Sequence, residues 1–349
     1  MNKNGGKNEK KSLFLLDKME VLRPIYIPIK IIIMENKILF GLSLMAAMSF
    51  SACQKNEMVN EGDNALNARL QVEASVSGMA ARTTSSLGDG HTSFADGDKI
   101  GLFMPDSDEA TAWSYNGGAW SSAPQDWPSQ SGALEFCAYY PYVEGAQRAS
   151  IAMPDLNTQS GKLEDLGSID FLVAKRSVSY KDNNGKVSFT GDYAFKHQYS
   201  LLVITLVKEE DDSETTINTA TLSGSGIFGK HTYSFAAPEG MKAVGEEVTA
   251  DKLDVTVGKE VGTEGCQVVL ALNPLAEKTK LDFSISYTRD GANYTASTQG
   301  IDRTFVSGTC YKYKIRIRKQ GLVVEGSEVT NWNTEEIKDD IVVNDTPQE

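Results

Sequence analysis

Histidine and cysteine are scarce in this chain: three and four among 349 residues. His91, His197 and His231 lie far apart, and none has a second histidine or a cysteine at metal-ligand spacing, which argues against zinc. Apart from Cys53 at the front of the chain, the three cysteines Cys137, Cys266 and Cys310 allow at most one bridge, and none is expected. Cys137 and Cys266 sit in apolar, strand-like runs, where a thiol behaves as a small buried hydrophobe. Basic charge is also in deficit, with a formal net charge of −13. The first 52 residues carry an excess of basic residues, so the remainder is more acidic still. That balance argues against nucleic acid as a partner. Helical periodicity is missing too, because beyond residue 68 no apolar repeat of helical spacing outlasts about two turns. No GxSxG, HExxH or P-loop pattern occurs. No catalytic residue, metal site or cofactor is expected, although the many carboxylates leave a two-acid glycosidase arrangement open.

The front of the chain is ordered by charge and hydropathy. "MENKILFGLSLMAAMSFSAC" begins at Met34, with Lys37 as a positive start and Ile38 to Phe50 as an apolar run. Thirteen residues are too few to span a bilayer as a helix, which takes about 20. Ser51 and Ala52 are the small residues that precede a cleavage point, and Cys53 follows at once. The Ser-Ala-Cys junction resembles the bacterial lipobox, which implies a lipid on the Cys53 sulfur, and the following "CQKNE" resembles the short polar tag that sends such lipoproteins to the outer face of the outer membrane. Phe50 departs from the aliphatic residue usual at its position. Residues 34–52 are therefore expected to be a lipoprotein signal peptide. Residues 1–33 read as a leader extension or a start assigned too early, and residues 53–67 as a polar tether.

The body reads as short strands punctuated by Gly, Asn and Asp. Leu70, Val72, Ala74 and Val76 alternate with polar residues, and "AWSYNGGAWSS" is a hairpin turning at Asn116-Gly117-Gly118. "YSLLVITLVK" is almost continuously apolar, as for a strand covered on both faces. "EEDDSETT", Glu209 to Thr216, is a solvated connection with five acids. It divides the body into 68–208 and 209–349, or else it is a long loop inside one domain. Tyr311, Tyr313, Ile315 and Ile317 alternate with Lys312, Lys314, Arg316 and Arg318. That basic stripe reads as a solvated edge resisting strand pairing, or as a binding surface. Asp96-Gly97-Asp98 reads as a turn entering a strand rather than a cation site. Trp113, Tyr115, Trp120 and Trp127 fall within 15 residues, so Trp113 and Trp120 are candidates for stacking on a glycan, or for cross-strand core partners. The expectation is an all-β chain of two β-sandwich domains.

Several stretches in order resemble the fimbrillin family, the type V pilus subunits and related surface lipoproteins of Bacteroidales. They are "RTTSS…FADGDKIGLF", "FCAYYPY", "SIDFLVAK", "FKHQYSLLVITL", "VVLALNP" and "YKYKIRIRKQGLVVEGSEVTNW". The resemblance implies two transthyretin-like sandwiches and a subunit delivered to the cell surface as a lipoprotein. It implies cleavage after an arginine, removal of the first strand, and filling of the vacated groove by a strand of another subunit. Arg82 is the expected cut, with Arg69 as runner-up. The donor strand would come from the carboxy-terminal Ile337, Ile341, Val342 and Val343. The role implied is structural, or that of a tip or accessory adhesin. The alternative is a non-polymerising glycan-binding surface lipoprotein, with host or bacterial glycans or proteins as partners.

Overall fold

The computed structural model describes residues 69–77, 93–209, 214–244, 252–318, 321–331 and 334–337. The first nine strands are β1 (Gln71–Ala74), β2 (Lys99–Phe103), β3 (Ala110–Asn116), β4 (Ala119–Ser121), β5 (Ala133–Tyr140), β6 (Ile151–Ala152), β7 (Leu172–Ser179), β8 (Lys186–Phe189) and β9 (Lys196–His197). Six of them form one sheet in the order β4-β3-β2-β5-β7-β9, while β1 and β8 form a separate two-stranded ribbon. Leu70, Ile100, Leu102, Phe136, Val187, Phe189 and Phe195 lie in the buried cluster between ribbon and sheet. The β3–β4 hairpin turns on Gly117 and Gly118, both at positive φ, the conformation that glycine adopts without steric cost.

The later strands are β10 (Ser200–Lys208), β11 (Thr215–Ser223), β12 (His231–Ser234), β13 (Gly240–Ala243), β14 (Lys252–Glu260), β15 (Cys266–Leu272), β16 (Leu275–Arg289), β17 (Ala292–Phe305), β18 (Thr309–Arg318), β19 (Gly321–Asn331) and β20 (Thr334–Ile337). A sheet of order β15-β10-β18-β19-β20 accompanies one of order β14-β11-β16-β17. Leu202, Ile204, Leu222, Phe283, Ile285 and Ile315 belong to one buried cluster that joins strands of both sheets. The nearly continuous apolar run is β10, flanked by β15 and β18 and buried along most of its length.

Three particulars differ from the sequence reading. The residue-208 division falls at the end of β10, and β10 already belongs to the later sheet. The change of sheet comes between β9 and β10, and the acidic stretch instead connects β10 to β11, strands of different sheets. Second, β18 is not an edge: it pairs parallel with β10 and antiparallel with β19. Its basic stripe is therefore one face of an interior strand. Third, β1–β8 and β10–β18 are parallel pairs although no long helix connects them. In each case the chain returns through strands of other sheets, which supplies the crossover a helix would otherwise make.

The two halves share structure. β12 carries β13 on one side and β6 of the first half on the other. Gln159 is buried, and its side chain donates to Ala271 O at 3.2 Å and accepts from Ala271 N at 2.8 Å. Phe103, Tyr139, Phe171 and Tyr233 form a chain of ring contacts from β2 and β5 to β12, with centroids 5.6 to 6.2 Å apart. Gly101 faces Tyr139 so closely that a Cβ there would lie 2.2 Å from the ring. The glycine in "KIGLF" is required by that packing, not by its backbone angle.

Candidate functional site

The candidate site is the seat of β1. Its alternation sends Leu70, Val72 and Val76 inward, and they are 5%, 9% and 2% exposed. Ala74, at the third inward position, is only half-buried. Burying side chains of this size contributes roughly 1.5–3 kcal/mol each. The backbone of β1 is tied mainly to β8: Gln71 N donates to Gly185 O at 3.0 Å and Ser75 N to Phe189 O at 3.0 Å. Beyond the ribbon, Ser77 N donates to Phe195 O and Phe195 N to Ser75 O. On the opposite side Leu70 N donates to Gln125 O at 2.9 Å. Next to that side lies a groove of about 700 Å³ bounded by β1, Trp113, Tyr115, Trp120 and the 121–125 segment. A second cavity of about 550 Å³, lined by Ala74, Ser75, Phe94 and Tyr115, lies beside the end of β1.

Two ion pairs clasp the outward face. Lys186 Nζ lies 2.5 Å from Glu73 Oε2, and Ser188 Oγ donates to the same oxygen at 3.2 Å. The Lys186 hydrogen bond is the main reason the Glu73 carboxyl is held below the usual carboxylate range. Arg69 Nη1 meets Asp126 Oδ1 at 3.2 Å, with the Arg69 side chain 62% exposed.

The other candidate residues are placed as follows. Trp113 is 3% exposed, so its ring faces are covered by protein and it is a core residue. Stacking of Trp113 on a sugar is not compatible with that burial. Trp120 is half-buried, edge-on to Phe94 at 4.9 Å and tilted against Tyr115 at 5.1 Å. Asp98 accepts from Ala95 N and from Tyr140 Oη, and Asp96 accepts from Gly117 N, so both carboxylates close turns. In the basic stripe, Arg316 pairs with Glu325 through both ends of its guanidinium and donates to Lys208 O. Arg318 lies 3.9 Å from Glu209. Ile337 ends β20, whose backbone pairs with β19. Cys53, Arg82, Ile341, Val342 and Val343 lie outside the described residues.

Two buried groups carry no sequence signal. Asp170 and His197 meet at 2.9 Å with side chains 2% exposed, at a separation of 27 residues. His231, on β12, is 4% exposed, and neither ring nitrogen has a hydrogen-bond partner. Burial pushes its pKa down to about 4.

The fimbrillin-like family model matches residues 82–332, most of the chain. The chain belongs to the fimbrillin-like family. It is 24% identical over 257 residues to the Bacteroides uniformis protein named "putative fimbrium subunit Fim1C", covering 68% of this chain and 78% of that one. A crystal structure from the same species, of a "putative cell adhesion protein", superposes with a TM-score of 0.54 at 21% identity. It covers 76% of this chain and all of that one. That similarity establishes the fold, and the all-β sandwich architecture agrees with the fimbrillin-like reading of the sequence.

Proposed function

We propose that this fimbrillin-like chain is a fimbrial subunit, exported as a lipoprotein through Cys53 and assembled at the cell surface by removal of β1 and entry of a strand from another subunit. The observation that carries the reading is the seating of β1. It puts three apolar side chains into the first-half core, yet its ribbon consists of two strands only. Taking it away uncovers an apolar slot beside β8, and a strand offering alternate apolar side chains restores both the backbone pairing and the core. Arg82 follows β1 in the chain, so a cut there separates β1 from the body. A cut after Arg69 leaves β1 attached. Membership of the family supports the fimbrial part of the reading, and the Ser-Ala-Cys junction supports the lipid anchor.

The test is the amino terminus of protein purified from the cell surface, read by mass spectrometry. A start at Thr83 is the expected result. Lipidated Cys53 as the sole terminus overturns strand removal and leaves a membrane-bound, unassembled protein. Palmitate incorporation that persists in Cys53→Ser overturns the anchor.

A further inference from the structure

β1 is held unequally along its length. At its start it is fastened on both edges. On one side Gln71 N donates to Gly185 O at 3.0 Å. On the other, Leu70 N donates to Gln125 O at 2.9 Å, Arg69 forms an antiparallel bridge with Asp126, and their side chains make an ion pair at 3.2 Å. At the far end, among the described residues, the backbone bonds run to one side only. Ser75 N donates to Phe189 O, Phe195 N to Ser75 O and Ser77 N to Phe195 O. Beside that end lies the cavity lined by Ala74, Ser75 and Phe94.

The second fastening belongs to a strap, residues 121–127, which leaves β4 and passes beside the start of β1. Trp127 anchors it. This ring is 3% exposed, shares a buried cluster with Leu70 and Val72, and lies 5.1 Å from Phe136 and 5.8 Å from Tyr180. Pro124 and Pro128 bracket the three residues Gln125, Asp126 and Trp127, and each fixes its own φ. Tyr180 also backs the opposite wall, because a Cβ on Gly185 would lie 3.3 Å from its ring and 3.3 Å from Arg69 O. The start of β1 therefore sits in a tight slot between the strap and the Gly185 turn. The Arg69–Asp126 pair is exposed and holds weakly by itself. The firmer parts of the hold are the buried Trp127 and the Leu70–Gln125 backbone bond.

We propose that the strap is a latch that retains β1 after the chain is cut beyond it. Cutting the chain and vacating the seat are then separate steps. This rests on the strand-removal reading above and adds a control on it. The tether enters β1 at the latched end, and the expected cut at Arg82 lies beyond the end held on one edge. β1 leaves from Val76 towards Leu70, and the contacts with Gln125 and Asp126 break last. The seat stays filled until the strap yields.

The experiment uses the full chain, before and after an arginine-specific protease. In the uncut chain, hydrogen exchange at the Leu70 and Gln71 amides is expected to be several-fold slower than at Ser75 and Ser77. After cleavage, the fragment ending at Arg82, identified by mass, stays with the body through gel filtration. Trp127→Ala speeds its dissociation several-fold. Because Trp127→Ala also empties part of the core, Asp126→Lys provides a milder loosening by repelling Arg69, and Arg69→Glu on that background restores retention. Immediate loss of the fragment from the parent protein overturns the latch and leaves strand removal standing. So does an exchange order that is uniform or reversed, or dissociation that neither variant changes. No cut after Arg82 under any condition refutes strand removal itself, and the latch with it.

Discussion

His231 shows what a single residue's surroundings do to its chemistry. Its ring lies against Tyr199 and Phe228 with no partner on either nitrogen, so the folded chain holds it neutral. The unfolded chain does not, and there the ring takes a proton near its ordinary value of 6.5. Between about pH 6.5 and pH 4 the unfolded state therefore binds the extra proton, and stability falls on acidification through that window. Above it the stability is fully present. The loss amounts to at most on the order of 3 kcal/mol. His231→Phe should flatten the pH dependence of the melting temperature between pH 6.5 and 4, and an unchanged slope would show that other groups set it. Nothing in the sequence around His231 marks this behaviour. Its cause is packing by Tyr199, 32 residues away, which is also why the Asp170–His197 pair escapes a reading by motif.

At the scale of the element, legibility depended on how local the determinant was. The two-residue alternation of Tyr311 to Arg318 and the Gly-Gly turn of the β3–β4 hairpin are written in adjacent residues, and both are found as read. The interior position of β18 is not, because it follows from pairing with β10 more than a hundred residues earlier. The burial of Trp113 is likewise set by the whole sheet and not by the aromatic cluster that drew attention to it. β1 combines the two cases: its inward pattern was readable, but its parallel pairing with β8 and the Glu73–Lys186 clasp were not. Its weight in the first-half core leads to a prediction. Val72→Asp places a charge at a 9% exposed site facing Val187, and should release β1 in the uncut chain, detected as increased binding of a hydrophobic dye. Gln71→Asp, on the exposed face, should not. Equal dye binding by the two variants would show that β1 contributes little to closing the core.

For the molecule as a whole, the described residues beyond Glu61 fall in one compact unit, and the larger buried cluster takes residues from both halves. Gln159 fastens the 156–159 turn to β15 through both ends of its amide. Calorimetry on the chain should therefore show one cooperative unfolding transition, with Gln159→Ala lowering its midpoint by the equivalent of about 1–3 kcal/mol, since Ala271 N–H and C=O lose a buried partner. Two separate transitions in the parent protein would mean that the halves unfold independently.

The β13-β12-β6 sheet has a mechanical consequence for a subunit strung between neighbours. In the proposed assembly, a strand seated beside β8 and a pull on β20 would apply tension to opposite halves. Halves joined by a plain linker would swing under that pull and lengthen before bearing load. Under the proposed assembly such a pull would meet strand pairing and an aromatic stack at the junction, so the two halves would carry it together as a stiff strut.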